Sequence, residues 1–271
     1  TRPNALATNL YNHIITEETW AKQRSEFGYR DITPCPLVHN FCAQPYIDCR
    51  ASINSFIPGD LTEDCASRLV DAYLDILKEN PNLHDKLELD IVFTIWVPTF
   101  REDAKKRFKN RNVTDLDVIE LEQALKKLTA NALSRLDKDT SSINELTKRF
   151  ELLNKSDLNA TDKIYQLIED CRNFGTLAFS HAARAGFVAV TMLKSLVKTG
   201  CLSQDRMLEF QASIPTVASE FQSALANHNI STDDLIKQFG HLRPGTYDIN
   251  QSAYWEDLSF YFVRGKQQRL D

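Results

Sequence analysis

The sequence predicts an α+β chain that is predominantly helical, with a small antiparallel sheet in its N-terminal part and a helical bundle in its C-terminal part. Beyond Pro98, apolar residues recur at the spacing of helix faces through most of the chain. Short apolar groups punctuated by Pro, Asn and Asp fill residues 34–58, and a regular alternation runs over residues 87–97. Strands early and helices late separate this class from the repeating strand–helix order of a parallel sheet.

The opening places Leu6, Leu10, Ile14 and Ile15 at helical spacing, with a further apolar group at Trp20, and so predicts one or two short helices ended by Gly28-Tyr29-Arg30-Asp31. Between Pro34 and Pro58, residues such as Leu37, Val38, Tyr46, Ile47, Ile53 and Phe56 stand among turn formers and suit short strands. A helix over residues 61–77 follows, with Leu69, Tyr73, Ile76 and Leu77 on one face. Asp60 or Thr62 would be its N-cap and Asn80-Pro81-Asn82 its stop. Leu87, Leu89, Ile91, Phe93, Ile95 and Val97 then alternate with Glu88, Asp90 and Thr94, the period of a strand with one buried face. A helical hairpin is expected over residues 116–153, broken at Asp139-Thr140-Ser141-Ser142. Further helices are expected over 161–198, 203–226 and 231–239, each opened by a Ser or Thr cap. The chain reads as one domain, with residues 1–100 its α/β part and 101–271 its helical part, without internal repeat or low-complexity linker.

A hydrophobic fraction of 42% over 271 residues is enough for a core that needs no staples. The net charge of −5, with no basic run longer than Lys105-Lys106-Arg107, argues against nucleic acid or an anionic membrane as the main partner. No apolar run approaches bilayer length, and the first residues show neither a signal peptide nor a starting Met. The expectation is therefore an excised piece of a larger protein. Six cysteines are too sparse for a disulfide framework, which predicts free thiols in a cytoplasmic setting.

Polar, turn-forming residues concentrate in Gly240-His241-Leu242-Arg243-Pro244-Gly245-Thr246-Tyr247-Asp248-Ile249. A Pro-Gly turn there would aim Arg243 and Asp248 at one place, or else His241 and Arg243 cap the preceding helix and Asp248 pairs with Arg243. In residues 44–58, strand alternation would put Asp48, Arg50, Ser52 and Asn54 on one face. That face is suited to gripping a carboxylate or phosphate through bidentate guanidinium bonds, or it is simply a solvated sheet face. His84 beside Asp85 is an oriented acid–base pair or a polar turn. Arg184, inside a long apolar helical run, must be paired, at an edge or in a pocket. Cys35, Cys42 and Cys49, with His39 among them, lack the close pairing of a zinc site, so no metal is expected. Ser180-His181-Ala182-Ala183 is similar to a phosphohistidine loop but lacks its second glycine and lies mid-helix.

Residues 45–58, Leu83-His84-Asp85-Lys86 and the decapeptide that starts at Gly240 together resemble the central region of glutamine-kinase-like, phosphoenolpyruvate-synthase-related enzymes. The opening through Gly28-Tyr29-Arg30-Asp31 fits as well, so the likeness spans nearly the whole chain, and the Gly240 decapeptide is its most specific part. Cys49 and Ile53 depart from the Val and Phe of family members. The resemblance implies an ATP-grasp domain before this region and a swivelling phosphohistidine domain after it, in the same polypeptide, with ATP and Mg²⁺ belonging to the former and no cofactor to this chain. In the family scheme ATP phosphorylates the mobile histidine, which passes its phosphoryl group to a small-molecule acceptor, such as the amide of L-glutamine for capsular phosphoramidate. This chain would be the acceptor-binding domain. Arg50 and Arg184 would hold the acceptor carboxylate, while Ser52, Asn54, His241, Arg243, Tyr247 and Asp248 orient the rest. No catalytic residue is assigned, and enzymatic activity of the chain by itself is left open. The alternative is a structural connector between the two flanking domains; a third possibility is a self-contained enzyme using His84 or His241.

Overall fold

The computed structural model describes residues 4–227, 229–243 and 252–257. Its fold is α+β and predominantly helical, and among the described residues the sheet is one antiparallel pair. Contacts divide the chain into two compact units, Thr1–Leu202 and Ser203–Asp271. Segments from both sides of residue 100 share the core of the first unit.

In the first unit, α1 (Ala5–Tyr11) passes through a π turn at Asn12–Thr16 towards α2 (Thr19–Phe27). Gly28 ends α2 at φ 115°, a conformation that costs glycine little. Strands β1 (Val38–Phe41) and β2 (Gln44–Ile47) pair with Val38 opposite Ile47. Cys42 and Ala43 join them, both at positive φ, which matches the right-handed twist of a tight hairpin. Then come α3 (Cys49–Asn54), α4 (Glu63–Glu79), α5 (Phe100–Arg107), α6 (Asp115–Ser134) and α7 (Leu136–Asn154). Helix α8 (Ala160–Asp170) continues through a π segment, Cys171–Thr176, into α9 (Leu177–Lys198). The apolar stripe of α4, at Leu69, Tyr73 and Ile76, packs with Leu121 and Leu125 of α6 and with Phe93, Phe100 and Phe108. Each fully buried Leu there contributes about 2 kcal/mol of transfer free energy.

The second unit holds α10 (Gln204–Ser213), α11 (Val217–Ala226) and α12 (Thr232–Phe239), the last capped by Ser231 as its sequence indicates. Leu235, Phe239 and Ala224 form its small core, with the Phe221 ring 5.2 Å from Phe239 and 5.1 Å from Tyr254.

The structure departs from the sequence expectations at instructive places. Residues 49–54 are helix, not strand: the Asp48 side chain accepts the Ala51 amide at 2.9 Å, and this N-cap starts α3 with Ala51, Ser52 and Ile53 buried. Residues 87–97 form a π turn at Leu87–Ile91 followed by extended chain, with no strand. Ile91, Phe93, Ile95 and Val97 are buried as the alternation expects, but Leu89 is exposed and Val92 is buried against that pattern, and no neighbouring strand supplies a ladder. Side chains take its place. The Phe93 amide donates to Tyr73 Oη at 3.3 Å and the Trp96 amide to Thr129 Oγ1 at 2.8 Å, while the Thr94 carbonyl accepts Tyr29 Oη at 2.7 Å and the Ile91 carbonyl accepts Arg107 at 2.9 Å.

The expected break at residues 139–142 lies inside α7, and the turn falls at Arg135 instead. Thr140, Ser141 and Ser142 donate back to the Leu136, Lys138 and Asp139 carbonyls at 2.7–2.8 Å, so their hydroxyls are satisfied within the helix. The expected helix over 203–226 is two helices parted at Ile214, and Asn159, not a Ser or Thr, caps α8. The continuous helix Ala160–Lys198 is, by length and composition alone, long and apolar enough to cross a membrane, against the expectation that no run approaches that length.

Candidate functional site

Helix α2 carries Trp20, Gln23, Arg24 and Phe27 at i, i+3, i+4 and i+7, so its inward stripe includes two polar groups. Helix α9 does the same. Its buried residues are Ala178, His181, Arg184, Val188 and Ser195, and two of these are polar neighbours at i and i+3. Where the stripes of α2 and α9 meet α3 and the 84–88 turn, the first unit holds a hollow of about 320 Å³.

The floor of this hollow is built on Phe56. The Arg24 guanidinium lies 3.9 Å from the centre of that ring and the Arg184 guanidinium 5.0 Å from it. Arg24 donates to Ser55 Oγ, and Arg184 Nη2 donates to a Glu88 carboxylate oxygen. Arg184 is only 5% exposed, and its buried Nε has no hydrogen-bond partner in the protein. Burial, and then the charge of Arg184, lower the Arg24 pKa to about 10, with Glu88 opposing, so the Arg24 guanidinium stays protonated near neutral pH. Burial likewise pushes the neighbouring Tyr29 hydroxyl up to about 12, which leaves it a neutral donor to Thr94. Two cations thus share one carboxylate in apolar surroundings. Trp20, Leu37, Ile47, Phe179 and Phe187 line the walls, and His84 and Asp85 stand exposed at the mouth.

Of the residues singled out in the sequence, Ser52 and Arg184 meet in this hollow. Arg50 does not line it. On a helix, residues 50 and 54 share a face from which 52 points away. Arg50 accordingly lies exposed and pairs with Asp71 at 3.0 Å, and Asn54 donates to the Arg50 carbonyl at 3.1 Å. The single polar face expected from strand alternation is therefore corrected to two helix faces. His84 and Asp85 do border the hollow, as a turn: His84 Nδ1 is 3.1 Å from the Pro81 carbonyl. In the second unit His241 is exposed and Arg243 pairs with Glu256 at 3.8 Å, whereas Tyr247 and Asp248 lie outside the described residues. Arg24 and Glu88 were missed by sequence reasoning. The signal for Arg24 was weak, because α2 has little amphipathic character and only its helical spacing from Trp20 and Phe27 marks that face.

A second hollow, of about 450 Å³, is lined by residues of α2, α7, α8 and α9. His181 lines it, with Nε2 at 2.9 Å from Arg135 Nη2 and 3.2 Å from Glu26 Oε2, and with Gln23 3.5 Å from Nδ1. Burial and then Arg135 lower the His181 pKa, against Asp139 and Glu26, so the ring is neutral. Such a ring, enclosed by an ion-pair network, lacks the exposure that a phosphate-carrying histidine needs.

Among the described residues, no group of three or more His, Cys, Asp or Glu side chains is placed to hold a metal ion. What the Arg24–Arg184 hollow can do chemically is bind an oxyanion: it presents fixed guanidinium donors, one of them unused, in a site where low dielectric strengthens each bond. No protein-family model, no curated protein and no solved structure matches the chain.

Proposed function

We propose that the chain is the acceptor-binding region of an ATP-dependent phosphotransferase of the glutamine-kinase-like, phosphoenolpyruvate-synthase-related type, and that the Arg24–Arg184 hollow grips the acceptor through its carboxylate. In this scheme a phosphohistidine of a flanking domain gives up its phosphoryl group. Its N–P bond breaks as a bond from phosphorus to the acceptor, such as the amide nitrogen of L-glutamine, forms, and the acceptor's proton is released. Positioning and charge neutralisation are the main demands of such a transfer, and fixed guanidiniums meet both. The observation that carries the reading is the buried Arg184, whose Nε is left without a protein acceptor inside a hollow that contains a second guanidinium. A buried donor with no partner costs about 1–3 kcal/mol, and a bound carboxylate would remove that cost.

A second reading, a structural connector between flanking domains, draws support from Arg50, which lies exposed and outside the hollow. The two readings part in a protein that also carries the ATP-grasp and phosphohistidine domains. Arg184→Gln should lower turnover on the order of 10²-fold, the loss of about 3 kcal/mol of charge-assisted binding, with folding intact. Arg50→Ala and Arg243→Ala should leave turnover within about threefold. If Arg184→Gln turns over normally while Arg50→Ala or Arg243→Ala loosens domain docking, the connector reading replaces the acceptor site.

A further inference from the structure

We infer that the Arg24–Arg184 hollow selects a small carboxylate with an apolar body, and that Glu88 is a built-in counter-ion with which this ligand competes. The inference rests on the hollow being an acceptor site and adds what that site prefers. On a guanidinium, Nε and Nη2 form one edge, the edge that a carboxylate takes with both oxygens. In Arg184 the Nη2 end of that edge is bonded to Glu88 and the Nε end is unused. Glu88 therefore holds one end of a bidentate edge, and a ligand carboxylate takes the whole edge by displacing it. Two guanidiniums against this one carboxylate leave the floor with a single net positive charge, which matches a monoanion better than a phosphate dianion. Asp85 stands in solvent at the mouth, where water and salt screen it.

The walls define the rest of the ligand. Above the charged floor aromatic and aliphatic side chains make up most of the lining, with Gln23, Ser52 and Ser180 as polar members, and the apolar residues nearest solvent remain largely uncovered: Phe179 is 73% exposed and Ile47 53%. Apolar side chains left open beside a buried cationic floor suit a ligand whose anionic end is held and whose body covers them.

Titration calorimetry on the 271-residue chain with phenylacetate, L-glutamine and inorganic phosphate tests this, with Glu88→Gln and Arg184→Lys as variants and far-UV circular dichroism to confirm their folding. Phenylacetate should bind at least tenfold more tightly than glutamine or phosphate. Glu88→Gln, which keeps an acceptor for Arg184 but removes the competing charge, should tighten phenylacetate about tenfold, and Arg184→Lys should weaken it at least tenfold. Glutamine binding as tightly as phenylacetate would leave the acceptor-site reading standing and overturn the preference for an apolar body. Phosphate binding more tightly than either carboxylate overturns the monoanion assignment. Unchanged or weaker phenylacetate binding in folded Glu88→Gln overturns the counter-ion role. No binding of any probe, by either the wild type or Glu88→Gln, removes this inference and the acceptor site together.

Discussion

The segment 91–97 is buried like a strand without pairing like one, so its backbone depends on side chains, and Thr129→Val tests that dependence. Thr129 Oγ1 accepts the Trp96 amide at 2.8 Å and donates to the Leu125 carbonyl at 2.8 Å, and the residue is 8% exposed. Valine keeps the shape and removes the hydroxyl. The Leu125 carbonyl lies inside α6, so its loss is minor. The Trp96 amide loses its acceptor, and an unsatisfied donor of this kind costs about 1–3 kcal/mol. Since the Trp96 residue is only half-buried, water can reach part of this region, and the expected loss is about 1.5 kcal/mol. Tyr29→Phe, which strips the partner from the Thr94 carbonyl, should cost a similar amount. Urea unfolding of both variants measures the losses, and hydrogen exchange at the Trp96 amide should accelerate in Thr129→Val alone. Losses below about 0.5 kcal/mol in both, with exchange at Trp96 unchanged, would refute the idea that these hydroxyls substitute for a ladder.

Two pH dependences follow from buried titrating groups. Asp117 is held well below the usual carboxylate range, first by the Arg68 bonds at 2.6 and 2.9 Å and also by Thr114, against the cost of its burial. Its stabilisation is present above the unfolded value of about 3.9 and is lost as pH falls towards the folded value. Asp117→Asn should therefore flatten the acid limb of the stability curve between about pH 5 and 2, as read by urea melts. His181 has the opposite protonation chemistry but the same slope. With its folded pKa lowered, the unfolded chain takes up the proton first, so stability falls as pH drops below about 6.5. Comparing urea stability at pH 7.5 and 5.5, His181→Gln should lose less on acidification than the wild type, and an equal loss would contradict the assignment.

The helix-rich half of the fold was legible because apolar spacing at i, i+3 and i+4 reports a buried stripe directly, as in α4 and α12. Residues 48–54 and 87–97 were not, because a period of two describes which side chains are buried and not where the backbone hydrogen bonds go. Asp48 decided the first case through a cap. Tyr73, Thr129, Tyr29 and Arg107 decided the second from distant parts of the chain. Arg184 stood out as a charge within an apolar run. Its partners, Glu88 and the nearby Arg24, come from segments 96 and 160 positions away, as 184 minus 88 and 184 minus 24 give, and no local pattern connects them.

The composition of α9 bears on whether the hollow is structure or site. Among its buried residues, His181, Arg184 and Ser195 are polar, positions where a helix serving only as scaffold would carry Leu or Val. Ion pairs sunk in a core rarely out-compete well-packed apolar side chains in stability, because desolvation offsets the Coulombic gain. Ser195 meets Thr99 across a 3.2 Å hydrogen bond, and His181 is enclosed by Gln23, Glu26 and Arg135, so both satisfy their polar atoms. Arg184 does not, since its Nε is buried without an acceptor. A scaffold role accounts for the first two residues and leaves the third as an uncompensated cost, whereas an oxyanion ligand accounts for it. The hydrophobic replacement Arg184→Met, made together with Glu88→Gln, separates these views by stability and ligand binding read side by side. In a pure scaffold, removing a poorly satisfied buried cation along with Glu88→Gln should be neutral or stabilising by about 1 kcal/mol or more. In a ligand site the same double variant should gain stability without ligand and lose all binding of phenylacetate. A double variant that is stabilised and still binds would place the ligand elsewhere.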